Sequence, residues 1–164
     1  MVKRTILMIL VFALVFIVGC GNPTMVDFLD REKEVLDKMA PMAAEVESAY
    51  ADYAEGKISY EQLRQQMIEI HKPMSELLEK YFEDRKSVKV TDAEREDDRL
   101  IETYRYSANA RNGLFGFVQW IVNNSNEVRK DVDYIYHEEV QKRYHENREK
   151  FYESYGKYGK ENNK

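Results

Sequence analysis

Over most of the chain, apolar residues recur at alternating spacings of three and four, the period of a helix buried along one side. Between Met25 and Glu55 the series is Phe28, Val35, Met39, Met42, Val46, Ala49 and Tyr53. It predicts a long first helix over 25–55, ended by Gly56. Ser59 then reads as an N-cap, Gln62 as its capping-box partner, and Ile58 with Leu63 as a hydrophobic staple. The stripe Leu63, Met67, Ile70, Met74, Leu77, Tyr81 carries this second helix over 59–83. Thr91 caps a third, with Glu94 as reciprocal partner, and its stripe runs Leu100, Tyr104, Ser107, Arg111, Leu114, Val118, Ile121 to about residue 122. Asn123 to Asn126 makes a turn, and a fourth helix over 127–152 follows on Val128, Val132, Ile135, Tyr136, Val140 and Phe151. Residues 154–164 are polar, repeat Tyr-Gly-Lys, and read as a frayed tail.

Four amphipathic helices on short connections predict an all-α fold, an antiparallel four-helix bundle built from two helical hairpins over 25–153. A longer, bent pair of hairpins is the alternative. Pro41 and Pro73 fall inside the first two helices, where proline removes a hydrogen bond and kinks the axis. Each lies sixteen residues from Lys57, so a turn centred there places the two kinks at one height.

The start of the chain follows a different pattern. Lys3 and Arg4 precede thirteen unbroken apolar residues, Ile6 to Val18, and then Gly19 and Cys20. The run is short of the ~20 residues that a mature spanning helix needs, and a basic start, apolar core and small residue describe a secretory signal. Cys20 is the only cysteine, so it has no partner within the chain. Ile17-Val18-Gly19-Cys20 resembles the lipobox of bacterial lipoproteins. The resemblance covers only the signal. It implies removal of residues 1–19, a diacylglyceryl group on the Cys20 thiol, residues 20–24 as lipidated N-terminus and linker, and a place on the extracytoplasmic face of the cell membrane. An uncleaved signal anchor, or a plain secretory signal with a stray cysteine, is the bland alternative.

Charge narrows the partners. Loss of residues 1–19 removes two of the 25 basic residues and none of the 30 acidic ones, taking the formal charge from −5 to −7. So acidic a chain is ill suited to nucleic acid or to a polybasic membrane patch. Anchoring then falls to the acyl chains, each buried methylene contributing about 0.8 kcal/mol.

Motifs for chemistry are sparse, and no cofactor is expected. His137-Glu138-Glu139-Val140-Gln141 and His145-Glu146-Asn147-Arg148-Glu149 begin like the zinc-binding HExxH helix but lack its second histidine. Ile68, Tyr134 and Lys142 stand where a di-iron bundle needs Glu three residues before His71, His137 and His145. These absences favour a non-catalytic protein, with an envelope enzyme as third choice. Met39, Met42 and Met74 with His71 are the soft donors of a rival reading, a Cu(I)-handling lipoprotein. Their plain role is to fill the gaps that kinks leave.

Two further groups stand out. Arg111 on the third helix and Glu139 with Arg143 on the fourth mirror about the second turn, predicting a polar layer that fixes helix partnership or, functionally, a ligand-binding charge. Tyr106, Asn109, Phe117 and Trp120, with Gly113, lie opposite the core stripe of the third helix. Exposed, they make an aromatic and amide surface for an envelope protein or wall partner; buried, they require another helix pressed against Gly113 and Gly116. The expected function is a lipid-anchored binding module of the bacterial envelope.

Overall fold

The structure is a computed structural model; it describes residues 24–125 and 129–162, with the backbone alone for 129 and 158–162. The expected signal over residues 1–19, Cys20 and part of the second turn lie outside the described residues. Among the described residues there is no strand, and the fold is all-α.

Helix α1 spans Met25–Ala54. Thr24 accepts from the Asp27 N–H, and the Asp27 carboxylate takes the Thr24 N–H in return. Gly56 ends the turn at φ 75°, a left-handed conformation that glycine adopts without steric cost. Helix α2, Tyr60–Arg85, opens on the reciprocal Ser59–Gln62 pair. Pro41 and Pro73 sit inside these two helices, each of which is helical on both sides of its proline, and together they line one open groove. Tyr53 meets Tyr60 at one end of this pair and Phe28 meets Tyr81 at the other, with ring centroids 6.1 and 5.4 Å apart.

The third helix differs from its expected single span. It is a short α3, Asp92–Glu96, followed by α4, Asp98–Asn123. Asp97 breaks the run in extended geometry, and one oxygen of its carboxylate accepts from the Arg99 and Leu100 N–H groups, each at 3.1 Å. An N-cap acid inside an acidic stretch was the cue, hidden because its neighbours are also helix-start residues.

The last segment is continuous from Arg129 to Asn162, where the sequence suggests a frayed tail from Ser154. It comprises α5 (Arg129–Ile135), a π-helical stretch π1 (Tyr136–Glu146) and α6 (Asn147–Asn162). The helix is pinned beyond the expected end. Tyr152 donates to Asp37, Tyr155 to Asp30, and Ser154 bonds Thr103. Helix α4 is the centre of the molecule, packing on α1, α2, π1 and α6. It therefore buries residues on several sides, from Leu100 through Arg111 and Phe117 to Ile121.

Candidate functional site

The core holds one charged knot. Glu32 lies on α1 with no side-chain exposure, and Arg111 on α4 with 2 %. Arg111 Nη2 stands 3.1 Å from Glu32 Oε2, and the guanidinium carbon lies 4.1 Å from the centroid of the Tyr81 ring. The same carboxylate accepts from the Tyr81 hydroxyl on one oxygen and from Ser107 Oγ, 2.6 Å away, on the other. Three helices thus converge on Glu32. The Nη2 contact is ionic rather than an aligned hydrogen bond, and among the described residues neither Nη2 nor Nε of Arg111 has a hydrogen-bond partner.

Burial drives the Tyr81 pKa far above its ordinary value, with the neighbouring Glu32 charge adding to it. Tyr81 accordingly stays a phenol and a donor. A carboxylate held by two hydroxyls and a guanidinium, out of water, is well placed to fix helix partnership. Tyr81 also lines a recess of about 140 Å³ between α1 and α2, whose mouth carries Arg31, Lys38 and Lys80 beside Glu34 and Asp84.

The polar layer expected around Arg111 is corrected by this arrangement. Glu139 pairs with Arg143 on its own helical turn, at 3.0 Å, and the Arg143 side chain is 43 % exposed. The level is shared, since the Glu139 carbonyl lies against Gly113, but Arg111 projects to the α1–α2 side. Glu32 was readable in the sequence as a charge on the apolar stripe, four residues after Phe28 and three before Val35.

Of the two alternatives for the aromatic and amide face of α4, burial holds at Gly113 and Phe117, while Tyr106, Asn109 and Trp120 are half-buried. Phe117 is fully buried and meets both rings of the Tyr50–Tyr136 stack edge-on: those two centroids are 3.5 Å apart, and its own lies 6.3 and 5.4 Å from theirs. A Cβ on Gly113 would fall 2.4 Å from the Glu139 carbonyl oxygen and 2.9 Å from Tyr144 N, so π1 presses directly on the α4 backbone. Asn109 donates across to Asn147 Oδ1 at 3.4 Å, and Tyr106 to Glu102 at 2.6 Å. Trp120 is half-buried against the core.

Asn147 explains how the π stretch closes. Widening from α to π geometry displaces carbonyls from their usual donors, and the Asn147 amide donates to Arg143 O at 2.9 Å and Lys142 O at 3.4 Å. His145 Nε2 lies 2.7 Å from Glu47 Oε1, tying π1 to α1.

The methionine–histidine group is dispersed by environment. Met39 and Met74 are buried in the apolar core, whereas Met42 lines the groove beside Pro41 and Pro73. The His71 ring stacks on Phe115 at 5.4 Å, and its Nδ1 lies 3.4 Å from Ser75 Oγ. Among the described residues no three His, Cys, Asp or Glu side chains are grouped to hold a metal. No described helix is long and apolar enough to cross a membrane.

Fold and core together define an all-helical protein whose three longest helices meet at a buried carboxylate–guanidinium pair. Comparison with protein-family models, curated proteins and solved structures returns no match for the chain.

Proposed function

We propose that this chain is a lipid-anchored, non-catalytic binding module on the extracytoplasmic face of a bacterial cell membrane. The observation that carries the reading is the run from Lys3 through Ile6–Val18 to Gly19-Cys20, with the lone cysteine four residues ahead of the Thr24 helix cap. Cleavage before Cys20 would leave a folded domain that begins almost at its lipid. In this reading the helices form an antiparallel four-helix bundle of two hairpins, bent at Pro41 and Pro73. The cross-helix contacts Tyr53–Tyr60 and Phe28–Tyr81 support the first hairpin, and the shared groove supports a common level for the prolines. The partner is an envelope protein or wall component, and the acidic surface disfavours nucleic acid.

Cross-linking in living cells, followed by fractionation, tests both halves. Wild type is expected in the membrane fraction, joined to an envelope partner. Cys20→Ser is expected to be soluble or unprocessed and to lose that adduct. An identical distribution and identical adducts for the two proteins would contradict the reading.

A further inference from the structure

Phe82 and Val90 are 45 % and 38 % exposed, and with Tyr134 at 63 % they are the large apolar side chains left open on the described surface. Single exposed apolar residues are ordinary; the placement of this pair is not. Phe82 stands beside Tyr81, ring centroids 5.2 Å apart, and Tyr81 packs on Phe28 near the start of α1. Val90 precedes Thr91, whose partner Glu94 takes the Val26 N–H at 3.0 Å. Both side chains therefore lie at the end of the molecule where α1 begins. Tyr134 marks the opposite end, because its neighbour Asp133 accepts from Tyr50 at 3.0 Å, close to the finish of α1.

That first end is also the one nearest the lipid-bearing residue. Four Cα steps separate Cys20 from Thr24, a reach of at most about 14 Å at roughly 3.5 Å per step. A headgroup layer is itself about 6 Å deep. With the acyl chains in the hydrocarbon, the start of α1 has little room to stand clear of the interface. The segment between Phe82 and Val90 suits that position. In sequence it sets Arg85, Lys86 and Lys89 against Glu83 and Asp84, with Val88 half-buried against the core. Lys86 is already bridged to Glu83 at 2.6 Å. Beyond it, Asp92, Glu96 and Asp98 are exposed acids and would repel an anionic surface.

We infer that this end of the protein docks on the phospholipid surface that holds the anchor, with Phe82 and Val90 entering the headgroup layer. The inference rests on the lipid-anchor reading. The contact is apolar first, so zwitterionic phosphatidylcholine is sufficient and salt has little effect. It sets the bundle on end and turns Tyr134 and the far tip toward the wall or partner.

The test uses lipidated full-length protein reconstituted in phosphatidylcholine vesicles. Two reporters in a Trp120→Phe background, Phe82→Trp and Tyr134→Trp, are read with lipids brominated near the headgroup. Flotation of the same samples reads the anchor separately. The expected result is co-flotation, with the reporter at 82 blue-shifted and quenched several-fold more than the one at 134. Hydrogen exchange of the unsubstituted protein should show amides 82–90 slowed by vesicles, and Phe82→Ser with Val90→Ser should float normally yet lose that slowing. Co-flotation with equal quenching at both positions overturns the docking and leaves the anchor standing. Protection of 82–90 that tracks protein concentration without vesicles assigns the surface to a second copy and also overturns it. Failure to float overturns anchor and docking together.

Discussion

Glu32 and Arg111 form a pair that neither partner can leave cheaply. Removing one buried charge strands the other, at a cost of about 3–5 kcal/mol, whereas replacing both by apolar groups of similar volume is often neutral. Glu32→Leu alone is therefore expected to lower stability by about that amount, and Glu32→Leu with Arg111→Met to regain most of it. Urea melts of the two variants check this; a double variant as unstable as the summed single losses would refute the coupling. Arg111 and Glu32 could each be read from the sequence as a charge on an apolar stripe, but their pairing could not. A mirror rule about a turn gives the height of a residue along a hairpin and says nothing about which way around the helix it points. Glu139 shares that height through its carbonyl at Gly113, while the Arg111 side chain meets Glu32 on a helix far away in sequence.

Helix packing turns on two glycines and one cap. At Gly113 an added methyl meets backbone on π1 at 2.4 and 2.9 Å, whereas at Gly116 its nearest neighbour is the Glu139 carboxylate at 3.3 Å. Backbone cannot step aside as a side-chain end can. Gly113→Ala should cost about 1–3 kcal/mol as an overpacked contact. Gly116→Ala should be close to neutral or slightly stabilising, because alanine favours helix. Thermal melts of the pair separate them, and equal losses would contradict the close approach.

Glu94 serves two helix starts, accepting from Thr91 N at 2.8 Å and Val26 N at 3.0 Å. Burial alone would raise its pKa, but the Thr91 and Val26 N–H groups and the Thr91 hydroxyl outweigh that and hold it below the ordinary value of 4.5. A depressed folded-state pKa contributes stability above 4.5 that is lost as pH falls through the still lower folded value. Glu94→Gln is expected to cost about 1–2 kcal/mol at pH 7, with the gap to wild type closing toward pH 3. A gap that is constant with pH would contradict the charged cap. Thr91 and Glu94 were legible as a motif, but Val26 was not, since nothing local links residues so far apart. The π stretch was likewise invisible. It lies against Gly113 on another helix, and periodicity registers only the apolar positions that α and π turns share.

At the scale of the whole molecule, local signals sufficed for the all-helical class because each stripe and cap needs only its own segment. The centrality of α4 did not follow from them. A helix touched from several sides buries both of its faces, so the aromatic side opposite the core stripe, open or buried by sequence pattern, is buried where Phe117 packs edge-on against Tyr50 and Tyr136. The described surface that remains open is grooved at Pro41 and Pro73, and apolar at Phe82, Val90 and Tyr134. Under the lipid-anchor proposal the first residues supply the address of such a molecule, and its proposed binding role depends on being held at the membrane.

The intact mass of the protein extracted from membranes reads that address in one step. The account predicts a chain beginning at Cys20, lacking residues 1–19 and heavier than residues 20–164 by a diacylglyceryl group. The Cys20→Ser variant should lack that increment. A wild-type mass equal to the unmodified chain, with residues 1–19 present or absent, would contradict the lipid anchor.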